Sequence, residues 1–384
     1  MTALCVANLS SASARLAGLN APLEFASMVR GLLCVALLFV TVAAHAETWP
    51  DKDWAKGIPL SGPAVDALEA YAFPARDDTT RQGIRTDALL VIRDGEVIYE
   101  RYAAPTTAST PHLTWSVSKS LMAAVLGVAY GENRFKLTDP AARFYPPMKQ
   151  HPTVTMADLL HWASGLDWQE DYEYAPLKSS VVAMLYTRGR GDMADFAADT
   201  EAANAPGQVF RYSSGDTNIL SATLKGMLGH KAYMSYPWDA LFKPLGIRNA
   251  TWETDADETF VASSYAYLTA RDLARVGLLM ARDGRWGDQQ LLPKDWIAFN
   301  RQPFDKYKPG QDEAVPGGHW WLNKGASRPW PDAPADTFAA LGHWGQALYV
   351  MPDEHLVIVR YGDDRDGSYR HNELLKRVLA AVQP

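Results

Sequence analysis

The segment HLTWSVSKSLMAAVLGVAYG (residues 112–131) predicts a buried helix with a lysine in its first turn. After Ser116 nearly every residue is small or apolar, which is the composition of a helix that packs inside a protein. Lys119 departs from that pattern. Because a buried ammonium group loses its hydration at a high free-energy cost, the position of this lysine needs an explanation.

A neutral lysine beside a serine is one explanation. Residues three apart share a face of a helix, so Ser116 and Lys119 should be neighbours at the positive end of the helix dipole. Burial and the dipole both lower the pKa of the lysine, which can then take the proton of the serine hydroxyl and create a nucleophile. The alternative is a solvated lysine with an N-capping serine, since a bare Ser-x-x-Lys pattern also arises by chance.

A second candidate group is Tyr212, in the segment PGQVFRYSSGDTN (206–218). It follows a Pro-Gly turn and precedes a helix that we expect to begin near Asp216, so its phenol should be held on a short loop. Such a phenol is well placed to pass a proton to a leaving group. The alternative is a half-buried structural tyrosine, because the chain contains 17 tyrosines.

The third candidate element is LGHWGQALYVMPD (341–353), in which two glycines flank His343 and Trp344 at the start of a predicted strand. Glycines at a strand entry allow a ligand to approach the backbone closely. The backbone N–H groups of Ser116 and Gln346 are candidates for an oxyanion hole. The alternative for His343 is a loop histidine without a chemical role.

The order of the predicted elements indicates an α+β fold. Residues 87–103 and 345–362 each read as two strands joined by a turn, whereas the segments between them are mostly helical. We therefore expect one antiparallel sheet built from both ends of the chain and flanked by helices, with a mostly helical insert. The sheet part is expected at about 47–115 and 250–384, the helical part at about 116–249, and further helices at 269–284 and 368–382.

The N-terminus reads as an export signal. From Met28, MVRGLLCVALLFVTVAAHA has one positive charge, an apolar run and a small-x-small ending, so we expect a leader at 1–46 and an exported, periplasmic or secreted mature chain. Residues 1–27 lack the shape of a signal, which leaves Met28 as an alternative translation start. A membrane-spanning helix is the weaker reading because the apolar run is shorter than about 20 residues. No stable membrane anchor is expected after cleavage.

Composition excludes several classes of function. The formal net charge of −7 offers no basic surface for nucleic acid, and 47% hydrophobic residues are enough for one large domain at 47–384. Both cysteines, Cys5 and Cys34, lie in the predicted leader, so the mature chain has no thiol chemistry. The sequence also lacks Gly-x-Ser-x-Gly, His-Glu-x-x-His, Cys-x-x-Cys and phosphate-binding glycine patterns.

In this order, the three elements resemble the serine β-lactamase and penicillin-binding-protein superfamily, in particular the class C-like branch of 6-aminohexanoate-dimer hydrolases and family VIII esterases. Ser116 and Lys119 match its Ser-x-x-Lys motif, and Tyr212-Ser213-Ser214 matches Tyr-x-Asn/Ser. His343-Trp344-Gly345 stands where the family has Lys-Thr-Gly, which is a departure. The resemblance covers nearly all of the mature chain and implies a β-lactamase/transpeptidase-like fold.

The resemblance also implies a mechanism. Lys119, helped by Tyr212, deprotonates Ser116, which attacks an ester or amide carbonyl of a small-molecule substrate. The Ser116 and Gln346 amides hold the oxyanion, and Tyr212 protonates the leaving group. This reaction needs no metal and no cofactor.

The same resemblance suggests how substrate is bound. The segment LLHWASGLDWQEDYEYAP (159–176) is similar to the helix and loop over the active site of the oligomer hydrolases. Since the departure at 343–345 removes a permanent positive charge, small esters or linear amides are favoured over β-lactams that carry a carboxylate. The predicted substrate-binding residues are Tyr172, Ser214, His343, Trp344 and Gly345.

Two other functions remain open at this point. The first alternative is a β-lactamase or D,D-peptidase. The second is a non-catalytic cell-wall or ligand-sensing binding protein, which 13 tryptophans would suit.

Overall fold

The computed structural model describes residues 47–307, 314–325 and 328–383, and its main feature is an eight-stranded sheet. The strands are β1 Ala55–Lys56, β2 Thr86–Arg93, β3 Glu96–Tyr102, β4 His112–Leu113, β5 Thr251–Trp252, β6 Ala266–Leu268, β7 Arg285–Trp286, β8 Gln289–Gln290, β9 Val315–Pro316, β10 Trp321–Leu322, β11 Phe338–Gly342, β12 Gln346–Met351 and β13 Leu356–Gly362. The order in the main sheet is β1-β3-β2-β13-β12-β11-β10-β9. Its strands pair antiparallel except β1 with β3.

Helices pack on both faces of this sheet, and most of them come from the middle of the chain. They are α1 Pro63–Ala72, α2 Val117–Gly131, α3 Met156–Leu160, α4 Ser180–Tyr186, α5 Met193–Ala198, α6 Ser214–Leu228, α7 His230–Tyr236, α8 Ala270–Ala281, α9 Lys294–Asn300 and α10 His371–Val382. Helices α2 to α7 occupy the predicted helical part, and α8 and α10 match the two further helices that the sequence predicts.

The hairpin of β2 and β3 shows why the predicted turn forms. Asp94 and Gly95 have φ values of 54° and 86°, the left-handed pair that a two-residue hairpin turn requires. Asp tolerates this conformation better than most residues, and Gly has no Cβ to oppose it. The predicted hairpin is therefore confirmed.

Alternation along β2 divides the core into two layers. Leu89 and Val91 belong to the core cluster that includes α1 and α10, whereas Leu90 and Ile92 belong to the cluster that includes α2 and α8. Successive residues of a strand point to opposite faces, so a mainly apolar strand is buried on both sides. The sheet is therefore the middle layer of the protein.

The two ends of the chain meet in the centre of the sheet. Strand β2 pairs antiparallel with β13, with Leu90 opposite Val359. The predicted α+β fold is confirmed. A small second sheet has the order β4-β6-β5, and in it β4, the strand just before α2, pairs His112 with Leu268 of β6.

The predicted signal peptide and both cysteines fall within residues 1–46, outside the described residues. Among the helices that the structure describes, none has the length and apolar character needed to cross a membrane.

Candidate active site

Ser116 lies at the N-terminus of α2, and its hydroxyl faces Lys119. It occupies the N-cap position, but its side chain makes no capping hydrogen bond. Instead the Lys119 Nζ atom lies 2.8 Å from Ser116 Oγ. This arrangement differs from the solvated lysine and capping serine that the sequence left open.

Lys119 is buried, and burial changes its acid–base chemistry. Its residue is 1% exposed, and Nζ donates a hydrogen bond to the Ser263 carbonyl oxygen at 3.0 Å. Burial lowers the pKa of Lys119 to about 8, while the charge of Glu170 opposes the shift. A neutral amine that donates to Ser263 keeps its lone pair, which can accept the proton of the Ser116 hydroxyl.

Glu170 connects the lysine to the start of α6. Its Oε1 atom lies 4.0 Å from Lys119 Nζ and accepts a hydrogen bond from Ser214 Oγ at 2.5 Å. Its Oε2 atom accepts hydrogen bonds from the Ser214 backbone N–H at 2.9 Å and from Trp168 Nε1 at 2.5 Å. Glu170 was not predicted from the sequence because no local pattern distinguishes one carboxylate in 159–176 from the others.

Tyr212 lies on the short loop before α6, as the sequence predicts. Ser213 is the N-cap of that helix, whose first residue, Ser214, comes two residues before the expected start near Asp216, and Ser213 Oγ accepts the Asp216 backbone N–H at 2.9 Å. The Tyr212 ring centroid lies 4.8 Å from Lys119 Nζ. Burial and then Glu170 raise the pKa of Tyr212 well above its ordinary value, while a hydrogen bond with Ser116 lowers it. The phenol therefore keeps its proton and can donate it.

The His343-Trp344-Gly345 segment forms a tight turn. The sequence predicts this segment at the start of a strand. In the structure β11 ends at Gly342, the three residues make one 3₁₀ turn, and β12 begins only at Gln346. Trp344 and Gly345 have φ values of 58° and 86°, which a strand cannot contain. This turn is held from behind because Arg360 Nη1 donates to the Gly345 carbonyl at 2.8 Å.

The turn lies beside the backbone of the serine. A Cβ atom built on Gly342 would lie 3.2 Å from Ser116 N and 2.5 Å from the Thr114 carbonyl oxygen. Gly342 also pairs directly with Gln346 across the hairpin. Because Gly342 adjoins both residues, the predicted oxyanion-hole residues Ser116 and Gln346 lie close to each other. The Gln346 side chain is buried and donates to the Gly362 carbonyl at 2.6 Å, which leaves the predicted role to its backbone N–H.

Aromatic rings surround Trp115, the residue before the serine. Trp115 has a φ of 48°, an uncommon conformation for a bulky residue. We call the group around it the Trp115 wall; all of its members are half-buried. The ring centroids lie at 6.2 Å (Tyr172), 6.4 Å (Tyr265), 5.4 Å (His343) and 5.4 Å (Trp344) from that of Trp115.

His343 has an acidic partner. Its Nε2 atom lies 2.9 Å from Glu173 Oε1, and its ring stacks on Tyr172 at 4.9 Å. Burial lowers the pKa of His343, with Glu173 opposing. Where the superfamily motif has a lysine, this chain therefore has a histidine that shares its position with a carboxylate.

The chain is similar to known hydrolases. It is 28% identical to a 6-aminohexanoate-dimer hydrolase of Paenarthrobacter ureafaciens over 306 residues, 74% of each chain. A Bacillus anthracis protein provisionally assigned as the same hydrolase has a TM-score of 0.64 at 20% identity, with 88% of each chain covered. EstCE1, a hydrolase with promiscuous acyltransferase activity, has a TM-score of 0.67 at 16% identity, with 83% of this chain and 98% of EstCE1 covered.

These similarities agree with the family that the three sequence elements resemble, and they support a hydrolase. The model of one family, described as Beta-lactamase, matches residues 67–382. Since this match spans most of the sequence, the chain belongs to the β-lactamase family.

Proposed function

We propose that the protein is an exported serine hydrolase that cleaves small esters or linear amides through an acyl-enzyme on Ser116. One observation carries the proposal: the buried Lys119 Nζ lies 2.8 Å from the Ser116 hydroxyl oxygen. Few structural roles need a lysine with a lowered pKa beside a half-exposed serine, whereas nucleophile activation needs this pair.

In the proposed reaction, Lys119 takes the Ser116 proton as Oγ attacks the substrate carbonyl carbon. The N–H groups of Ser116 and Gln346 hold the negative oxygen of the tetrahedral intermediate. Tyr212 donates its proton to the departing oxygen or nitrogen and recovers one from Lys119, so the site returns to its starting protonation. Water then attacks the carbonyl carbon of the acyl-enzyme and gives its proton to the Tyr212 and Lys119 pair. The pair returns a proton to Ser116 Oγ as the acid product leaves.

The preference for small esters or linear amides follows from the lining of the site. The Trp115 wall offers ring surfaces, and its histidine, His343, is paired with Glu173. The members of this wall carry no permanent positive charge for a substrate carboxylate, and the Arg365 guanidinium, 3.9 Å from the Trp344 ring centroid, is paired with Asp363. The name of one relative, a 6-aminohexanoate-dimer hydrolase, agrees with a small amide as substrate.

Labelling with a fluorophosphonate tests the nucleophile. We expect labelling of the native protein and none of Ser116→Ala, while the exposed Ser109→Ala control labels normally. Lys119→Ala should lower ester turnover by several orders of magnitude, and the exposed Lys136→Ala should not. Near-normal turnover in Lys119→Ala would contradict the assignment of the base.

A substrate screen then separates the alternatives. Purified protein should hydrolyse p-nitrophenyl esters or linear amide oligomers faster than nitrocefin or D-Ala-D-Ala peptides. Dominant turnover of either of the last two would favour the β-lactamase or D,D-peptidase alternative. Neither labelling nor turnover would favour a binding protein.

A further inference from the structure

A second group of aromatic rings contacts Tyr212, whereas the first group surrounds Trp115. We call it the Trp321 wall. Its ring pairs are Trp321 with Tyr212 (5.4 Å), Trp162 (5.4 Å) and Phe210 (6.1 Å), and Phe210 with Tyr307 (4.9 Å).

The front of the Trp321 wall is not part of the closed core. Phe210, Tyr212, Tyr307 and Trp321 are each half-buried, whereas Trp162 behind them is 1% exposed. Half-buried rings that adjoin a catalytic group present apolar surface to whatever enters the site.

The back of the wall is held rigidly. His319 stacks on Trp162 at 4.5 Å. Its Nδ1 atom lies 2.6 Å from the Leu160 carbonyl oxygen and its Nε2 atom 2.9 Å from Thr217 Oγ1. Since both ring nitrogens are engaged, His319 fixes the plane of Trp162 and, through it, the positions of Trp321 and Tyr212. A preorganised surface binds a ligand with less loss of conformational entropy.

The chemistry of Tyr212 indicates which part of a substrate would reach this wall. If Tyr212 protonates the leaving atom, that atom must lie within hydrogen-bonding distance of the phenol oxygen. The group attached to the leaving atom then extends past the Tyr212 ring, where Trp321 is the neighbouring surface. The acyl part stays bonded to Ser116, whose preceding residue belongs to the Trp115 wall.

We propose that the Trp321 wall is the leaving-group subsite and that it selects an apolar, ring-bearing alcohol or amine. This inference rests on the proposed function, because it assigns one side of the same reaction. It predicts that Trp321 affects acylation, when the leaving group is present, but not deacylation, when it has departed.

The test compares 2-naphthyl butyrate with methyl butyrate in the native protein and in Trp321→Ala. We expect kcat/KM for the naphthyl ester to fall at least about tenfold and that for the methyl ester less than about threefold, because only the naphthyl ring can pack on the wall. The deacylation rate of the common butyryl-enzyme should not change. Phe210→Leu should show the same selective loss if Trp321→Ala folds poorly.

Trp238→Ala is the matched control. Trp238 is also half-buried and also packs in an aromatic group, with Phe242 at 5.8 Å and Phe260 at 5.7 Å, a group separate from that of Tyr212. Its loss should leave the ratio of the two esters unchanged. Equal losses for both esters in Trp321→Ala, or losses that vary with acyl length, would overturn the subsite.

A binding measurement separates this inference from the proposed function. Ser116→Ala should bind 2-naphthol by calorimetry, and Ser116→Ala/Trp321→Ala should bind it at least about tenfold more weakly. If this difference appears but the native protein neither labels nor turns over esters, the Trp321 wall binds ring-bearing ligands, and the proposed function fails together with the leaving-group role. Equal binding by both variants overturns the subsite whatever the turnover.

Discussion

The Glu170 carboxylate lies 4.0 Å from the Lys119 amine and holds both the backbone N–H and the hydroxyl of Ser214. One side chain therefore influences the charge of Lys119, the proposed base, and positions the segment that carries Tyr212. Its negative charge favours the ammonium form, so it works against the burial that lowers the pKa of the lysine. Burial has the larger effect, and the pKa remains at about 8.

We expect kcat/KM of the native enzyme to rise with pH through an apparent pKa of about 8, because the neutral amine of Lys119 is the reactive form. Glu170→Gln removes the charge that supports the ammonium form. The rising limb should move to lower pH by about one unit or more, given a separation of 4.0 Å. A pH–rate profile from about 5 to about 10 measures the shift.

Asp171→Asn is the control for this prediction. Asp171 neighbours Glu170 in the chain, but its Oδ1 atom accepts the Tyr174 backbone N–H at 2.9 Å. Its removal should leave the limb in place. An unshifted limb in Glu170→Gln, or a native profile that is flat between about pH 5 and about pH 9, would contradict the role given to Lys119.

The lowered pKa of Lys119 should also make the stability of the protein depend on pH. The pKa of Lys119 is about 8 in the folded state and about 10.4 in the unfolded state. Protonation of the buried amine therefore destabilises the folded protein, and this effect is complete below pH 8. The effect shrinks as the pH rises from 8 towards 10.4. Between about pH 7 and about pH 10, the free energy of unfolding of the native protein should gain about 2 to 3 kcal/mol relative to Lys119→Met.

Urea unfolding of both proteins at the two pH values gives this difference. The hydrogen bonds that the methionine loses contribute at both values, so they cancel in the comparison. A difference in stability that does not depend on pH would show that the lysine titrates normally in the folded protein.

The pairing of His343 with Glu173 predicts how β-lactam turnover could be raised. We expect kcat/KM of the native enzyme to be lower for nitrocefin than for p-nitrophenyl butyrate. His343→Lys alone should help little, since Glu173, which lies 2.9 Å from His343 Nε2, would pair with the ammonium. His343→Lys/Glu173→Gln should raise kcat/KM for nitrocefin by about tenfold, because the charge is then available to the carboxylate.

Glu173→Gln alone is the control, and it should not improve nitrocefin turnover. A native nitrocefin value at or above that of the ester would contradict the predicted preference and promote the β-lactamase alternative. If kcat/KM for nitrocefin does not rise in the double variant, the lack of a positive charge at position 343 is not what limits β-lactam turnover.

We expect Gly345 to be indispensable because any side chain at this position would clash with its neighbours, in addition to the effect of its positive φ. A Cβ atom at this position would clash with Asp364 Oδ2 and Arg360 Nη1, in addition to the φ of 86°. Gly367 has a similar φ of 73°, and a methyl group there would meet nothing within 4 Å, so Gly367→Ala isolates the backbone effect, about 1 kcal/mol. Gly345→Ala should cost several kcal/mol in urea unfolding and also lower kcat; equal costs would contradict the packing argument.

Local spacing explains which parts of the site could be predicted. Ser116 and Lys119 are one helical turn apart, so their contact follows from the helix alone. The two hairpins follow in the same way from turn residues that separate two strand-like apolar segments. The Tyr212 loop could be placed because a Pro-Gly turn precedes it and a serine cap ends it.

The other contacts of Lys119 join parts of the chain that are far apart in sequence. The Ser263 carbonyl is 144 residues away, and no side-chain pattern marks a backbone acceptor. The Glu170 carboxylate is one of several in its segment, and only folding selects it. The sequence predicts that a strand starts at His343 and Trp344, whereas the positive φ of Trp344, which no strand contains, depends on the contacts behind the turn.

The pairing of β2 with β13 has a consequence for the order of synthesis. Residues 86–93 emerge from the ribosome early, but their partner at 356–362 is nearly the last part of the chain to appear. Until then Leu90 and Val91 have no neighbour on that side of the sheet, so the central layer cannot close. The nascent chain should therefore remain sensitive to protease almost to the end of translation, and a stop codon before residue 356 should yield a product that does not fold.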